Sequence, residues 1–596
     1  MKVAMIGNDE AIETIGNNMN NFLNIFAFFA AFRILAADPG EPKVLLPAVA
    51  VAEQRLVDAP SVEPLVWPLQ TPKDCPFTPS PTLTGIHFTG RHAEYVNADT
   101  WYPSWASDGN LYSPWTDGSV NGLKSGSSGK EGTTGHATIL GDDPLKLQVV
   151  DQGVYTSDSS PYASRYPCGS LVYNGVWYYG TYCLHPSPGT LHEGVNYNWP
   201  WLGPFVGFRY STDLGKSWTQ TPCTPAKPLF GESALNGEPV KMGSPHVVDF
   251  GKNMENSPDG KAYLVAHGAS DGKNRRFGYN SWITGDEIYL ARVKPSIQNM
   301  NDPTKYEFFD GVGWTGEFAK IKPIAAWRDN MGCVTMTYDA PLKKYLLCVT
   351  DGGNTAGYFN TYILESDCIT GPFKLVHYLH HFGEQAYFVN LPSKFISGDG
   401  RTLWLCYSAN FAPNWNGMAI RCRPAGSRYG MCLHEVRLLG SSETPQPPVA
   451  NPLKNPENIA PLAHLEASST YPGYYVMGAV NGDVGGCPGD ILDEWASHGE
   501  TAGAWIKLSW DQPQRIREVW LFDRPNPQDQ VTEGKLEFSD GTSIALERPL
   551  PDNARQGVAI PVGGKTITWL KFTVTKVKEH TMNIGLAEIG VFRAPQ

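Results

Sequence analysis

Residues 170–182 read Ser-Leu-Val-Tyr-Asn-Gly-Val-Trp-Tyr-Tyr-Gly-Thr-Tyr: an apolar strand, an Asn-Gly turn at 174–175, and an aromatic strand. Asn-Gly between two such runs signals a hairpin, because both central residues of the tight turn need positive φ. The same unit recurs at 104–115 (SWASDGNLYSPW), 255–268 (ENSPDGKAYLVAHG), 336–349 (MTYDAPLKKYLLCV) and 395–408 (FISGDGRTLWLCYS). The turns fall near residues 108, 174, 259, 340 and 399. Further strand-like runs follow each hairpin, at 137–150, 207–220, 288–296, 361–376 and 435–439. Four strands repeated radially make a propeller blade, so five copies predict a five-bladed β-propeller over 86–440. A β-sandwich with irregular hairpins is the competing arrangement.

The rest of the chain agrees with an all-β fold class. Hydrophobic residues make up 41% and charged residues 18% of 596, which excludes a disordered chain. Gly (61), Pro (48), Trp (18), Tyr (27) and Phe (25) are abundant, the composition of many turns joining short aromatic strands. The net charge is −12, with no basic run to offset it, so no nucleic-acid partner is expected.

Residues 1–37 carry one apolar core, FLNIFAFFAAFRILAA at 22–37. It is too short to span a bilayer comfortably, and Arg33 interrupts it. It reads as a secretory signal ending near Ala37, although Asp9, Glu10 and Glu13 stand where a basic stretch belongs. The expectations are an extracellular protein without a stable membrane span; an apolar N-terminal tail is the alternative. The eleven cysteines include Cys168/Cys183, Cys333/Cys348 and Cys422/Cys432, each pair either a disulfide or two buried thiols. Residues 38–85 form a Pro-rich arm, and 441–458, with five prolines, an interdomain linker.

In a propeller, the first strand of each blade lines the channel, and the loops at one end form a funnel. The candidates near that end include Asp99, Arg165, His246, Arg328, Asp329, Glu384 and Asn390 on the inner strands. The second strands end at Asp117, His185, His267, Asp351 and Asn410. Glycoside hydrolysis needs two carboxyls facing the scissile bond, one protonated and one ionised. Asp99 and Asp117, on one hairpin, are the first pair to consider. Asp329 and Glu384, from blades four and five, could oppose them. Arg165, His185, His246, His267, Arg328, Asp351 and Asn390 would fix sugar hydroxyls or an acidic sugar. Trp101 would stack on a pyranose face. Trp105, Trp115, Tyr197, Trp199 and Trp201 supply further rings, the last three in an insertion at 186–204. The alternatives are strand-end salt bridges, structural histidines and core packing. Ser211 to Trp218 fits S-x-D-x-G-x-x-W, a structural turn of propeller blades.

Ala98-Asp99 followed by Asp108-Gly109-Asn110-Leu111-Tyr112, and the hairpin Tyr173 to Tyr179, resemble five-bladed glycoside hydrolases of family 43. The resemblance implies Asp99 as general base. The run Asp99 to Trp105, with Asp117-Gly118, is more similar to a secreted family catalogued as domain of unknown function 4185. That likeness implies hydrolysis of a polysaccharide, arabinose-containing polymers among the candidates, with no cofactor for catalysis. The chain departs from family 43 at Tyr166-Pro167-Cys168-Gly169 and at Gly243-Ser244-Pro245-His246, where an Asp and a Glu are expected.

Residues 459–596 resemble a discoidin-like (factor 5/8 C-type) β-sandwich, or jelly roll. The matching features are Ala467-Ser468-Ser469, Asn481-Gly482-Asp483, Ala504 to Leu508, Phe538 to Gly541 and Gly585 to Ile589. The resemblance implies sugar or surface binding through loops at one end, and a structural Ca2+ on Asp483 and Glu588. A turn cap and a surface carboxylate are the plainer roles for those two. Three functions remain open: a polysaccharide hydrolase, a non-catalytic glycan-binding protein, and a cell-surface adhesin.

Overall fold

In the computed structural model, residues 53–595 are described except 60–64, 188–189, 193–194, 198, 272–279, 353–356, 411–422, 444–450, 488–489 and 553. The expected signal segment at 1–37 and the centre of the linker at 441–458 lie outside the described residues, as do Cys422 and the side chain of Tyr197. Strand accounts for 48% of the structure and helix for 5%, so the chain is all-β.

Each predicted turn joins the innermost strand of a blade to its second strand. Ser104–Trp105 pairs with Leu111–Val120, Ser164–Tyr173 with Val176–His185, and His246–Val247 with Ala262–Gly268. Val334–Asp339 pairs with Lys344–Asp351, and Tyr387–Asn390 with Thr402–Ser408. Third strands follow at Glu131–Leu140, Trp201–Ser211, Glu287–Val293, Asn360–Ser366 and Met431–Gly440. The five sheets stand side by side around a ring. Val172 donates to Ser104 Oγ (2.8 Å) between blades one and two. Gly169 N donates to Pro245 O (2.7 Å) between two and three, and Asp249 N to Met336 O (3.0 Å) between three and four. Thr335 Oγ1 donates to Val389 O (2.7 Å) between four and five. Asn390 Nδ2 donates to Trp101 O (2.9 Å), closing five onto one.

The ring is zipped by the N-terminal strand Leu83–Tyr95, which pairs antiparallel with Met431–Gly440 as the outer strand of blade five. Strands such as Val176–His185 are buried along almost their whole length because both blade faces are covered. In the structural turn, Asp213 Oδ1 accepts from Ser217 N (2.8 Å), and Trp218 packs 5.2 Å from Trp177. Cys168, Cys183, Cys333, Cys348 and Cys432 are free thiols, so the cystine alternative for those pairs is not realised among the described residues.

The C-terminal unit is built on two long strands, Trp505–Phe522 and Gln556–Val577, whose register shifts near Ser509/Gln514 and Ile516/Glu518. Their first stretch is flanked by His464–Ala467 and Val531–Phe538, their second by Glu588–Arg593. Ile506, Leu536 and Phe572 share one core with Leu521, Ile560 and Ile589 from the second stretch. Val531–Phe538 alternates buried and open residues, as a strand with one covered face should. The edge is completed from far upstream: Arg55–Asp58 pairs with Gln556 to Ala559. Among the described residues, no helix is long and apolar enough to cross a membrane.

Candidate active site

The site begins with an irregularity in blade one. Asn97 pairs with Ser119 but Asp99 pairs with Thr116, so Asp117 and Gly118 together oppose the single residue Ala98. This is a β-bulge, a device that re-aims a side chain otherwise bound for the opposite face. Asp117 takes φ 44, in the left-handed region. Gly118 is required beside it, since a Cβ there would lie 2.0 Å from Asn97 O.

The bulge brings the carboxyls of Asp99 and Asp117 under each other's influence. Asp99 is 8% exposed. Its Oδ1 accepts from Thr100 Oγ1 (3.0 Å) and its Oδ2 from Tyr387 OH (3.0 Å). Burial, then the charge of Asp117, holds Asp99 well above the usual carboxylate range, against hydrogen bonds from Tyr387, Thr100 and Tyr429. Asp117 is more open; it accepts from Ser127 N (2.7 Å) and Ser127 Oγ (2.6 Å). Burial raises it too, and those two hydrogen bonds oppose the rise. Burial and the neighbouring charge both disfavour ionisation of Asp99, so of the two acids it holds its proton more readily. Tyr166 lies within the field of both. Tyr429 donates to Asp117 O.

Beside the pair lies an aromatic wall of Tyr102, Trp199, Trp282, Phe359, Tyr387 and Phe388 around Cys333. Trp282 stands 5.4 Å from Tyr387 and 5.9 Å from Trp199, ring centre to ring centre. A low-dielectric wall of this sort strengthens the electrostatics of the adjoining acids.

Several sequence candidates serve the fold instead of facing a ligand. Trp101 is 1% exposed, packed with Leu111 and Trp115, and its Nε1 donates to Ala98 O (2.8 Å). No face of that ring is left for a sugar, which corrects the stacking role. Arg165 is buried and spends its donors on Thr181 Oγ1 (3.1 Å) and Asp158 O (2.9 Å). His246 and His267 are buried and pushed down to about 3 and about 4 by burial, so both are neutral. His267 Nε2 contacts Ser281 O at 2.9 Å. Asn390 is the clasp between blades five and one already described. These four are structural, a correction to their expected contact with sugar hydroxyls.

Asp329 sits at the junction of blades three and four, its N–H donating to Asp286 Oδ1 (2.8 Å) and Arg328 Nε 4.0 Å from its Oδ2. Asp351 is buried there, accepts from Tyr378 OH (2.9 Å), and is lifted by burial to about 7. These acids make a second group. Arg328 remains half-exposed, and His185 partly so beside Trp201 (6.2 Å). Glu384, with φ 59, stands near Tyr358. The residues that sequence reasoning missed are Tyr387 and Tyr429, from the first and third strands of blade five or just before them. Only their flanking motifs, Tyr387 to Asn390 and Tyr429-Gly430, could have drawn attention.

In the sandwich, Glu588 is fully buried and its Oε1 has no hydrogen-bond partner. Its Oε2 accepts from Gly482 N (3.2 Å), and burial, then Asp483 and Asp493, push it well above its usual range. Asp483 is half-exposed and paired with Lys454 (2.8 Å). Among the described residues, no three His, Cys, Asp or Glu side chains form a metal cage. The orphaned carboxylate oxygen is of the hard type that Ca2+ takes as a ligand. Loops at one end of the sandwich expose Tyr471 (40%) and Tyr475 (61%), with His498 5.4 Å from Tyr471.

Residues 458–592 match the model of a domain of unknown function (DUF7402). That match does not reach the propeller, and it is a different family from either that the propeller motifs resemble. No curated protein matches the chain. Among solved structures, the lectin domain of lectinolysin complexed with Lewis B antigen is similar at 19% identity, covering 24% of this chain and 99% of that one, with a TM-score of 0.20. A Streptococcus pneumoniae fucose-binding module, SpX-3, is similar at 15% identity, covering 23% and 98%, TM-score 0.20. The family 32 carbohydrate-binding module of C. perfringens NanJ, in complex with galactose, is similar at 10% identity, covering 23% and 98%, TM-score 0.20.

Proposed function

We propose that this chain is a secreted carbohydrate-active protein whose propeller hydrolyses a polysaccharide and whose C-terminal sandwich holds the chain on its glycan. The observation that carries the reading is the acid pair. A bulge at Asp117 lies beside Asp99 in blade one, the charge of Asp117 acts on the Asp99 carboxyl, and an aromatic cluster adjoins them. One protonated and one ionised carboxyl supply both halves of glycoside hydrolysis: a proton for the departing oxygen and a base for water. Asp99 is the group that orients water or stabilises the cationic sugar-like transition state. Arabinose-containing polymers are the first substrates to try. In the sandwich, the exposed Tyr471 and Tyr475 offer ring faces to a glycan. A Ca2+ there would be held by Glu588 and Asp483 and would tie the turn at 481–483 to the last strand.

A second reading has a specific observation in its favour. Asp99 is 8% exposed, with both oxygens engaged by the protein's own hydroxyls, as in a propeller that binds glycan without cutting it. One experiment separates the two. Full-length protein is incubated with plant, fungal and bacterial polysaccharides, and released sugars and retained protein are both measured. Hydrolysis is the expected result. Asp99→Asn should then lower turnover by a factor on the order of 10², the usual scale of a positioned acid or base, while the protein stays folded. Retention on a glycan without product would establish the binding reading.

A further inference from the structure

The two acids of the site come from blade one, but the hydroxyls that reach Asp99 come largely from blade five. Tyr387 opens the innermost strand of blade five, is 1% exposed, and donates to Asp99 Oδ2 at 3.0 Å. Tyr429, two residues before the third strand of blade five, donates to the carbonyl of Asp117 and also acts on the Asp99 carboxyl. Its placement is built in. Arg428 Nη1 donates to Asn97 Oδ1 (2.6 Å), and Gly430 lies so near blade one that a Cβ would fall 2.3 Å from Val96 O. The titratable groups that face Asp99 are therefore Asp117, Tyr102, Tyr166, Tyr387 and Tyr429, with Thr100 as a further donor.

We infer that Tyr387 and Tyr429 are positioning residues: their hydroxyls, brought from blade five, hold the Asp99 carboxyl in place across the seam where the ring closes. The inference rests on the hydrolase reading for its catalytic consequence, but the clamp itself is a property of the fold. A donor to a carboxylate stabilises the ionised form, so each hydroxyl opposes the rise imposed by burial and by Asp117. The two are not equal. Tyr387 points its one proton at Asp99, whereas Tyr429 has one proton to divide between Asp99 and the carbonyl of Asp117. The site thus depends on the closure of the ring as well as on blade one.

The test uses full-length Tyr387→Phe and Tyr429→Phe, with Gly430→Ala as a variant that displaces Tyr429 while keeping its hydroxyl. Asp99 is titrated by infrared spectroscopy in its carboxyl region, its band identified by its loss in Asp99→Asn. Tyr387→Phe should raise the Asp99 midpoint by about one pH unit, the scale of one hydrogen bond to a charged group. Tyr429→Phe and Gly430→Ala should raise it by less. The acid limb of the pH–rate profile should move by the same amounts in the same order. Folded variants in which the band titrates as in the wild type would overturn the clamp and leave the hydrolase reading standing. A shifted band in a protein that cleaves no glycan would keep the clamp and remove the hydrolase reading.

Discussion

The propeller and the sandwich are both completed by the same N-terminal stretch, to very different depths. Leu83–Tyr95 runs thirteen residues along blade five, with Leu83, Ile86, Phe88 and Ala93 buried. Arg55–Asp58 adds four residues to the sandwich, of which only Val57 is buried. A ring cannot be complete without its last strand, whereas a sheet can end one strand sooner. One segment is therefore indispensable to one unit and auxiliary to the other.

Arg524 in the sandwich and Arg209 in the propeller are buried in opposite ways. In the sandwich, Arg524 donates to both oxygens of Glu494 (2.8 and 2.9 Å) and to Asp529 Oδ2 (2.7 Å). In the propeller, Arg209 faces the rings of Tyr179 (3.8 Å), Tyr155 (4.7 Å) and Trp218 (4.9 Å). Its Nη1 donates to Thr134 Oγ1 (3.0 Å), but its Nε and Nη2 are buried without a hydrogen-bond partner. Burial pushes it down to about 10. Carboxylates make an arginine irreplaceable; ring faces accept a cation and an apolar side chain alike.

The largest effect should come from placing a charge in the closing strand. Ile86 is fully buried. Ile86→Asp should cost the propeller on the order of 5 kcal/mol and abolish its calorimetric transition while the sandwich still melts cooperatively. A surviving propeller transition would show that the ring tolerates an open seam. Arg524→Met should cost the sandwich about 4 kcal/mol, because Glu494 and Asp529 are left buried and unpaired. Arg209→Met should cost less than about 1 kcal/mol, since no carboxylate loses a partner; chemical denaturation of the two variants compares them directly. Val57→Asp should lower only the sandwich transition, by about 2 kcal/mol.

A further effect depends on pH and arises in the propeller. Asp351 sits near 7 in the folded protein and near 4 in an unfolded chain. Between those values the folded state keeps a proton that the unfolded state releases. The contribution of Asp351 is therefore full below about pH 4 and is lost as the pH rises through about 7. Asp351→Asn should remove that loss, raising propeller stability at pH 8 by on the order of 2 kcal/mol and leaving it nearly unchanged at pH 4. An unaltered slope of thermal midpoint against pH would exclude Asp351 as its source.

Much of the fold was legible because short-range chemistry decides it. Turns near Asp108-Gly109, Asn174-Gly175, Asp259-Gly260, Ala340-Pro341 and Asp399-Gly400 each join a first to a second strand. The pairing of Asp99 with Asp117 was legible too, since both lie on one hairpin. Burial was not. Trp101, Arg165, His246 and His267 have residue types that suit a sugar site, yet they are enclosed by neighbouring blades that no local pattern reveals.

The sequence by itself determined the number of blades, the order of the two units and the acidic character of blade one. Hairpin turns and strand patterning are properties of a few consecutive residues. Only the tertiary structure decided the use of the N-terminal arm. Leu83–Tyr95 zips the ring and Arg55–Asp58 edges the sandwich through partners hundreds of residues away. It also decided the environment of Asp99. The bulge at Asp117 and the hydroxyls of Tyr387 and Tyr429 meet there only when blade five closes on blade one. The protonation of that acid follows from burial and from charges assembled across the seam, which spacing along the chain does not encode.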